Sequence, residues 1–384
     1  MQRYVKRLAE AKLREYLKIF PAVAVLGPRQ CGKSTMIKQF VQKSKNFVYL
    51  DLQSSGDLRK LQEPEFFFEN NADKTVCIDE IQLAPHLFSV LRSAIDSHRK
   101  PERFILLGSA SRDLIQKTSE SLAGRVGFIE LSPFTKSEIL SEDNEDKQNK
   151  LWLRGGFPNS YLARDNKAAS IWLEQFLRTY IERDLQNFGI NIPAIQIRRF
   201  LTMFAHNQAQ VLNSSKLAES LGLTHPTIRR YIDLLENSFV MRTLQPFENN
   251  IKKRLIKSPK VYIRDTGLLH KLLQIGSLND LFSHPVFGFS WEGYAIENII
   301  SENQDFQFFF YRTSSGNEID LVIETGKKRI AVECKASTAP QLSRGNYSAI
   351  EDIRADKIYV VAPVKSQYKL KENIIVANLP LELN

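Results

Sequence analysis

Apolar runs alternate with helical segments in the first third of the chain, between residues 21 and 132. Strands that alternate with helices form a parallel sheet whose two faces are covered by those helices. The pattern therefore predicts an α/β fold with helices on both faces of a parallel sheet. The predicted strands are AVAVLG (22–27), NFVYLDL (46–52), TVCIDE (75–80), RFILLGS (103–109) and GFIELS (127–132).

The pattern of the chain changes after residue 140. The polar stretch SEDNEDKQNK (141–150) predicts a surface linker, and a helical pattern follows it to about residue 210. Residues 211–247 suggest helix, turn, helix and a short wing, and the remainder mixes helices with a β-hairpin. A chain of 384 residues is long for one domain. We expect three domains, at residues 1–140, 150–258 and 259–384.

The N-terminal segment MQRYVKRLAEAKLREYLKIF has helical periodicity, with Val5, Leu8, Tyr16 and Ile19 spaced for one face. We expect a helix that docks on the first domain through this face. The segment is basic and lacks the apolar core and cleavage site of a secretory signal.

A phosphate-binding loop is predicted between the first strand and the next helix. GPRQCGKS fits the P-loop pattern, whose glycines let backbone N–H groups surround phosphates at a helix N-terminus. Lys33 is expected to reach the β- and γ-phosphates of ATP, and Ser34 to ligate Mg²⁺. The predicted nucleotide-binding residues of this loop are Gly27, Pro28, Arg29, Gln30, Cys31, Gly32, Lys33, Ser34 and Thr35.

A second acidic element supports the P-loop. The apolar strand TVCID ends at Asp79 and is followed by Glu80, as in a Walker B element. Asp79 is expected to bind magnesium through water, and Glu80 to polarise the attacking water. FILLGSAS then places Ser109 or Ser111 near the γ-phosphate. Arg125, in SLAGRV, is a candidate arginine finger for the same or a neighbouring site, with an ordinary surface arginine as the alternative.

The segment GNEIDLVIETGKKRIAVECKAS (316–337) predicts two strands joined by a basic turn. Side chains alternate between the faces of a strand, so Asp320, Glu333 and Lys335 can converge on one face. Two interpretations remain open. The carboxylates ligate a metal ion while Lys335 acts on a water, or the hairpin carries an ordinary charged face at a sheet edge. Glu292, on a predicted upstream helix, is a candidate for a further acid.

A helix-turn-helix is predicted from NSSKLAESLGLTHPTIRRYIDLLEN. Ser214 or Ser215 is expected to cap the first helix, Gly222 to form the turn, and Thr224 to cap the second helix. Outward side chains of the second helix suit a DNA major groove, and a packing or protein-docking module is the alternative. The predicted DNA contacts are Thr227, Arg229 and Arg230.

These motifs together resemble those of AAA+-type P-loop ATPases of bacteria and archaea whose C-terminal half is uncharacterised. The resemblance rests on GPRQCGKST, IDEIQLAPHLFSVLRSAID, LLGSAS and SLAGRV, and continues through RGGFPNSYL, FLRTYIERDL, KVYIRDTGLL, GFSWEGYAIENII and NEIDLVIE. It implies an AAA+-like domain, a helical and winged-helix middle region, and a small α+β domain with a restriction-endonuclease-like fold. It also aligns Glu292, Asp320 and Glu333 with the metal ligands of restriction-like nucleases, and Lys335 with their lysine.

Charge and cysteine content restrict the partners and the compartment. A formal net charge of +10 and a pI near 9.3 favour polyanionic partners such as DNA. The three cysteines form neither a disulfide framework nor a zinc motif, so we expect a reducing, cytoplasmic environment. No apolar run approaches the length of a membrane span.

The leading hypothesis is a magnesium-dependent ATPase that couples ATP hydrolysis to DNA binding or processing. The alternative is a nucleotide-switched binding or regulatory protein whose nuclease-like C-terminal domain is inactive. A membrane-associated ATPase that acts through the basic N-terminal helix is a third, weaker interpretation. A homo-oligomer is compatible with each of them.

Overall fold

The computed structural model describes residues 4–42, 46–109, 121–139, 144–185, 193–248, 255–326 and 328–383. The chain forms two compact units. Unit 1 comprises residues 1–133 with 237–239, and unit 2 comprises residues 134–236 and 240–384. Ser111, one of the two candidate serines after the fourth predicted strand, lies outside the described residues.

Unit 1 contains a five-stranded parallel sheet with the strand order β2-β3-β4-β1-β5. Its strands β1 to β5 are Ala22–Gly27, Phe47–Asp51, Thr75–Asp79, Phe104–Ser109 and Val126–Glu130. The parallel sheet predicted from the apolar runs is confirmed. The helices α1 to α5 are Ala9–Ile19, Lys33–Val41, Ser55–Lys60, Pro64–Asn70 and Leu87–Ser97.

Helices cover both faces of the sheet in unit 1. Val23 and Val25 of β1 belong to one buried layer, together with Leu13 of α1. Ala24, which points to the other face of the same strand, packs in a second layer with Leu91 of α5. The central strands β1, β3 and β4 are therefore buried on both sides, which explains their continuous apolar sequences, whereas the edge strands β2 and β5 are partly exposed.

Helix α1 buries a different face from the one predicted. Leu13 and Leu17, one turn apart, are buried, whereas Leu8 and Ile19 are 49% and 58% exposed. The prediction was wrong because Leu8 precedes the helix and Ile19 is its last residue. The face is set by the leucines in the middle turns.

Unit 2 contains a nine-stranded mixed sheet with the order β13-β14-β12-β11-β10-β9-β7-β8-β6. Its strands β6 to β14 are Gln210–Val211, Met241–Pro246, Lys260–Ile263, Gln307–Arg312, Glu318–Thr325, Lys328–Cys334, Lys357–Val361, Tyr368–Lys371 and Ile374–Ala377. Its helices α6 to α16 are Lys136–Ile139, Glu145–Arg154, Pro158–Tyr161, Asn166–Thr179, Ala194–His206, Ser214–Leu221, His225–Asn237, Thr266–Leu272, Leu278–Ser283, Phe287–Glu302 and Arg344–Ile353. Within the described part of the chain, no helix has both the length and the apolar composition needed to cross a bilayer.

The polar stretch predicted as a linker is helical from residue 145 onward. Asn144 caps α7, because its side chain accepts a hydrogen bond from the backbone N–H of Lys147 at 3.0 Å. Leu151 and Trp152, in the C-terminal half of the helix, are buried. The preceding polar residues form its first turns, so their composition reflects exposure and not an irregular chain.

The C-terminal hairpin lies in the interior of the nine-stranded sheet. Strand β10 pairs with β9 and β11, and β11 pairs with β10 and β12. Ile319 and Leu321 are fully buried on one face, and Asp320 is 7% exposed on the other. The interpretation of an exposed charged face at a sheet edge is therefore wrong. The acids of this hairpin are buried groups that need partners.

Candidate functional site

The loop between β1 and α2 in unit 1 forms a backbone cradle at the N-terminus of α2. Gly32, the N-cap, has φ 101°, and Gln30 has φ 61°, both in the left-handed region. A Cβ atom at Gly27 would lie 2.2 Å from the backbone oxygen of Leu131, so only glycine fits there. The N–H groups and dipole of a helix N-terminus favour an anion at this position.

Lys33 lies across this loop. Its Nζ donates hydrogen bonds to the carbonyl oxygens of Gly27 and Pro28, each at 2.9 Å, and the residue is only 7% exposed. The ammonium group is thus held beside the cradle by the loop itself. Of the other predicted residues of the motif, Arg29 and Cys31 lie in the loop and Thr35 lies in the first turn of α2. Cys31 is buried and Thr35 is exposed.

Arg7 supports the loop from the N-terminal segment, a contact that the sequence did not reveal. Its guanidinium donates to the carbonyl oxygen of Cys31 at 2.8 Å and to that of Ser132 at 2.6 Å. Arg7 is 3% exposed. It lies among other basic residues with no motif around it, so no sequence signal distinguished it.

Asp79 connects the loop to the Walker B strand. Ser34 Oγ donates to Asp79 Oδ2 at 2.6 Å, and the hydroxyl of Tyr49 on β2 donates to the same oxygen. Asp79 Oδ1 accepts from the backbone N–H of Glu80 at 2.9 Å. Burial and the Asp79 carboxylate raise the pKa of Tyr49 above its usual value, so its hydroxyl keeps its proton. Two hard oxygen donors from Ser34 and Asp79 are thus adjacent, a donor set that fits Mg²⁺.

Glu80 is oriented by two glutamine side chains. Its backbone has φ 58°, and its Oε1 accepts from Gln53 Nε2 at 3.3 Å. Gln82 Nε2 donates to Glu80 Oε2 and also to Ser109 Oγ, the latter at 3.0 Å. The structure therefore joins Glu80 and Ser109 through Gln82. Both glutamines were missed, since a single amide side chain carries no motif.

Arg125 is not brought to the phosphate loop of its own chain. It directly precedes β5, and its carbonyl oxygen accepts from the N–H of Ala22, the first residue of β1. The loop follows the last residue of β1, at the opposite edge of the sheet. Both guanidinium donors of Arg125 contact Asp96, at 2.7 and 2.9 Å. The prediction of a finger in the same site is therefore wrong, and a role at a neighbouring subunit stays a prediction.

The acidic cluster in unit 2 surrounds a buried lysine that was not predicted. Lys260 Nζ, on β8, lies 2.9 Å from Glu292 Oε1, 2.6 Å from Glu318 Oε1 and 3.2 Å from Asp320 Oδ1. Tyr262 donates to Glu292 Oε1 at 2.8 Å. Burial disfavours the charged ammonium, but Glu292 and the other acidic neighbours raise the pKa of Lys260 well above its usual value. The cluster is therefore built around a positive charge.

One ammonium does not neutralise three carboxylates, and the acids differ in consequence. Burial and the nearby Asp320 charge raise the pKa of Glu292 to about 7, against the opposing effect of Lys260. The second oxygen of Glu318 lies 3.2 Å from the guanidinium of Arg312. Asp320 Oδ2 accepts from the backbone N–H of Cys334 at 2.9 Å. Glu318 and Asp320 thus each have a partner in addition to Lys260. Glu292 holds its proton near neutral pH.

Glu333 and Lys335 form a separate pair beside this cluster. Lys335 Nζ donates to Glu333 Oε1 at 2.7 Å, while Glu333 Oε2 is buried without a hydrogen-bond partner among the described residues. Burial and the Asp320 charge raise the pKa of Glu333 to about 8.

The magnesium ion implied for this cluster does not fit the residues present. The described residues contain no group of three or more acids, histidines or cysteines arranged to hold a metal ion. The structure places Asp320 and Glu333 on the paired strands β10 and β11, Lys335 pairs with Glu333, and Glu292 shares the ammonium of Lys260 with Asp320. The sequence missed Lys260, which lies between Glu292 and Asp320.

The helix-turn-helix segment forms two helices, and the cap of the first differs from the one predicted. Asn213 caps α11, since its side chain accepts from a backbone N–H at 2.9 Å, so the assignment to Ser214 or Ser215 was wrong. Asn213 precedes the first helical residue, where a capping side chain must lie. Gly222 ends α11 with φ 63°, and the Thr224 hydroxyl accepts from the N–H of the third residue along, at 3.4 Å.

Helix α12 has one buried face and one exposed face. Ile228, Ile232 and Leu235 are buried. Arg229 and Arg230 are exposed on the opposite side. The exposed or half-buried positions of the first turns are His225, Pro226, Thr227, Arg229 and Arg230. Part of the basic segment that follows, residues 249–254, lies outside the described residues.

Family models match most of the chain. Residues 20–140 match a model described as an AAA domain. Residues 145–279 and 287–381 match two models described as domains of unknown function, DUF8612 and DUF4143. The P-loop and Walker B strand both lie in the first of these matches.

Similar proteins occur in distant bacteria. An uncharacterized protein of Mycobacterium tuberculosis is 38% identical over 370 residues, which cover 96% of this chain and 82% of that protein. An uncharacterized protein of Haemophilus influenzae is 24% identical over 299 residues, covering 70% of this chain and 72% of that protein.

A solved structure shares the fold. The Walker-type ATPase of Pyrococcus abyssi superposes with a TM-score of 0.50 at 16% identity, covering 70% of this chain and 96% of that one. The match to the AAA domain coincides with the phosphate loop and the Asp79 cluster described above. The chain therefore belongs to the same family as the mycobacterial protein, and its residues 20–140 match an AAA domain.

Proposed function

We propose that the protein is a magnesium-dependent ATPase that couples ATP hydrolysis in unit 1 to DNA binding by unit 2. The observation that carries the proposal is the convergence of Lys33, Ser34 and Asp79 at the phosphate loop, with Glu80 next in the chain. The backbone N–H groups of the loop bind the phosphates of ATP. The match to an AAA domain supports this assignment.

Each residue of unit 1 has a distinct part in hydrolysis. Lys33 exchanges its loop carbonyl contacts for the β- and γ-phosphates and offsets the charge that develops on them. Ser34 and Asp79 hold Mg²⁺, which shields the phosphate oxygens when it is bound. Glu80 orients the attacking water and accepts its proton. Gln82 fixes the carboxylate of Glu80 relative to Ser109, which contacts the γ-phosphate.

Unit 2 supplies the DNA-binding surface in this proposal. The succession of helices α11 and α12 and the antiparallel strands β7 and β8 supports the proposal of a winged helix. Arg229 and Arg230, exposed on α12, reach phosphates or guanine edges in a major groove. The excess of basic residues over acidic ones in the whole chain attracts polyanions.

The succession α15, β9, β10, β11, α16 and β12 supports a restriction-endonuclease-like fold for the C-terminal part of unit 2. DNA cleavage is not part of this function, because Lys260 occupies the acidic cluster. This observation favours a second candidate, a nucleotide-switched binding protein with slow hydrolysis. A cytoplasmic location is consistent with three free, buried cysteines.

ATPase activity measured with and without duplex, branched and single-stranded DNA tests the coupling. We expect at least one DNA form to stimulate turnover several-fold. Replacing Arg229 and Arg230 together by alanine should weaken DNA binding and lower the slope of log K against log salt by about two, one for each phosphate contact. Turnover without DNA should stay unchanged in this variant.

The matched control is Arg178→Ala with Arg183→Ala, which removes the same charge from exposed positions outside α12. If both double variants lost DNA affinity equally, the loss would be explained by the lower net charge of the protein. That result would contradict a role of α12 in DNA binding. Turnover that no DNA form changes would favour the nucleotide-switched binding protein.

Tyr49→Phe is expected to raise the magnesium concentration needed for half-maximal ATP turnover by about 3- to 10-fold. The hydroxyl donates to Asp79 Oδ2, and a hydrogen bond to a charged group contributes about 1.5 kcal/mol. The measurement is ATP turnover against total Mg²⁺ at saturating ATP. Tyr16→Phe, a tyrosine on α1 that packs against Phe20, is the control. An unchanged magnesium requirement in Tyr49→Phe would show that Ser34 and the backbone N–H of Glu80 suffice to orient Asp79.

A further inference from the structure

The acidic cluster of unit 2 contains its own permanent cation. Lys260 Nζ lies within 3.2 Å of one oxygen each from Glu292, Glu318 and Asp320. Divalent cations bind carboxylate oxygens at about 2.0–2.6 Å. A metal held by these three oxygens would therefore occupy the position of the ammonium, and the two cannot be present together.

The ammonium is held firmly in this position. Lys260 is 1% exposed, so the methylene chain as well as the charged group is enclosed. Its Nζ also lies 5.9 Å from the centre of the Phe310 ring, within the range of a cation–π contact. An outward movement would take the shared ammonium from the buried Glu292 and Asp320 and from the partly exposed Glu318, a change that costs several times a surface ion pair.

The side chains next to the cluster already have partners in this chain, except for Glu333 Oε2, which has none among the described residues. Glu333 is paired with Lys335, so one of its oxygens already contacts an ammonium. Asp320 uses its second oxygen to accept from the N–H of Cys334. Tyr262 donates to the oxygen of Glu292 that also contacts Lys260. The oxygens of the cluster are thus mostly committed to donors of this chain.

We propose that Lys260 replaces the divalent cation of a nuclease-like site, so that the cluster stabilises unit 2 without metal and does not cleave DNA. The inference concerns unit 2 alone. It is independent of ATP hydrolysis by unit 1, and the failure of either proposal leaves the other intact.

Metal binding by the full chain tests the inference. All proteins carry Ser34→Ala, which removes a metal ligand of unit 1, and no nucleotide is added. The probes are Tb³⁺, whose luminescence Tyr262 and Trp291 near the cluster can sensitise, and Mn²⁺ in thermal unfolding. All three tryptophans, Trp152, Trp172 and Trp291, belong to unit 2, so tryptophan fluorescence follows the unfolding of that unit.

With Lys260 present, we expect no Tb³⁺ signal that saturates at a Tb³⁺ concentration below about 1 mM, which is the dissociation constant of the weakest protein cation sites. We also expect EDTA to leave the Tm unchanged. Lys260→Met should lower the Tm in EDTA by roughly 10 °C, since buried carboxylates lose their counter-ion. The same variant should gain a saturable Tb³⁺ signal and recover part of its Tm with Mn²⁺. Adding Glu292→Gln to it should abolish the gain.

Two results would overturn the proposal. One is a saturable Tb³⁺ signal in the protein that retains Lys260, lost on Glu292→Gln. The other is a folded Lys260→Met variant that gains no response to either metal. If Lys260→Met does not fold, Lys260→Met with Glu318→Gln leaves one fewer uncompensated carboxylate, and the same two expectations apply to it.

Discussion

Replacing Lys33 by alanine is expected to lower ATP turnover by at least about 100-fold, the effect of removing one charge-stabilising donor from a transition state. The ammonium of Lys33 is held beside the phosphate cradle by the carbonyl oxygens of Gly27 and Pro28. Alanine leaves the developing charge on the γ-phosphate without this partner. Phosphate release at saturating MgATP measures the loss.

The control for this variant is Lys18→Ala, which removes an exposed lysine of α1 and should leave turnover unchanged. Thermal unfolding of both variants shows whether the loop has kept its structure. Turnover at the level of the unmodified protein in Lys33→Ala would refute the assignment of unit 1 as an ATPase.

Replacing Glu297 by glutamine is expected to destabilise unit 2 by about 3 kcal/mol, because it removes the buried carboxylate that pairs with both Arg242 and Arg264. Glu297 on α15 accepts from Arg242 Nε at 2.9 Å and from Arg264 Nε at 2.7 Å. These contacts join the helix to β7 and to the residue that follows β8. For a unit of this size the loss corresponds to a Tm lower by roughly 10 °C, read by tryptophan fluorescence.

The effect of Glu297 should depend on pH in a defined direction. Burial acts to raise the pKa of Glu297, but Arg242 and Arg264 together lower it below the usual value. A carboxyl whose pKa is depressed on folding stabilises the folded state above its unfolded pKa, and this contribution is lost as the pH falls. The difference in Tm between Glu297→Gln and the unmodified protein should therefore shrink in acid.

Glu182→Gln provides the comparison, because Glu182 forms an exposed pair with Arg178 one helical turn away. Such a pair contributes less than about 1 kcal/mol, so its loss should be barely detectable. A similar destabilisation in both variants, or no difference between Glu297→Gln and the unmodified protein, would contradict a stabilising role of the buried triad.

The elements and site residues that could be predicted from the sequence are those that depend on residues close together in the chain. Lys33 and Ser34 lie in one continuous motif, and Asp79 and Glu80 end one continuous apolar run. Continuous apolar runs also predicted the five parallel strands, of which β1, β3 and β4 are buried on both faces. Local patterns of this kind need no knowledge of the rest of the chain.

The missed residues act across long separations in the sequence. Lys260 contacts Glu292 and Asp320, which are 32 and 60 residues further along the chain. Arg7 reaches Ser132 over 125 residues. Long basic side chains of this kind are abundant in the sequence, and only the fold shows which of them are enclosed.

The position of Lys260 also determines where the chain can be divided. The segment that matches the DUF4143 model begins at residue 287, after β8. A fragment cut there would keep Glu292, Glu318 and Asp320 but lose the ammonium that they surround. A C-terminal piece that keeps this ammonium must therefore start before residue 260, so β8, α13 and α14 separate the boundary drawn by charge from the boundary drawn by sequence similarity.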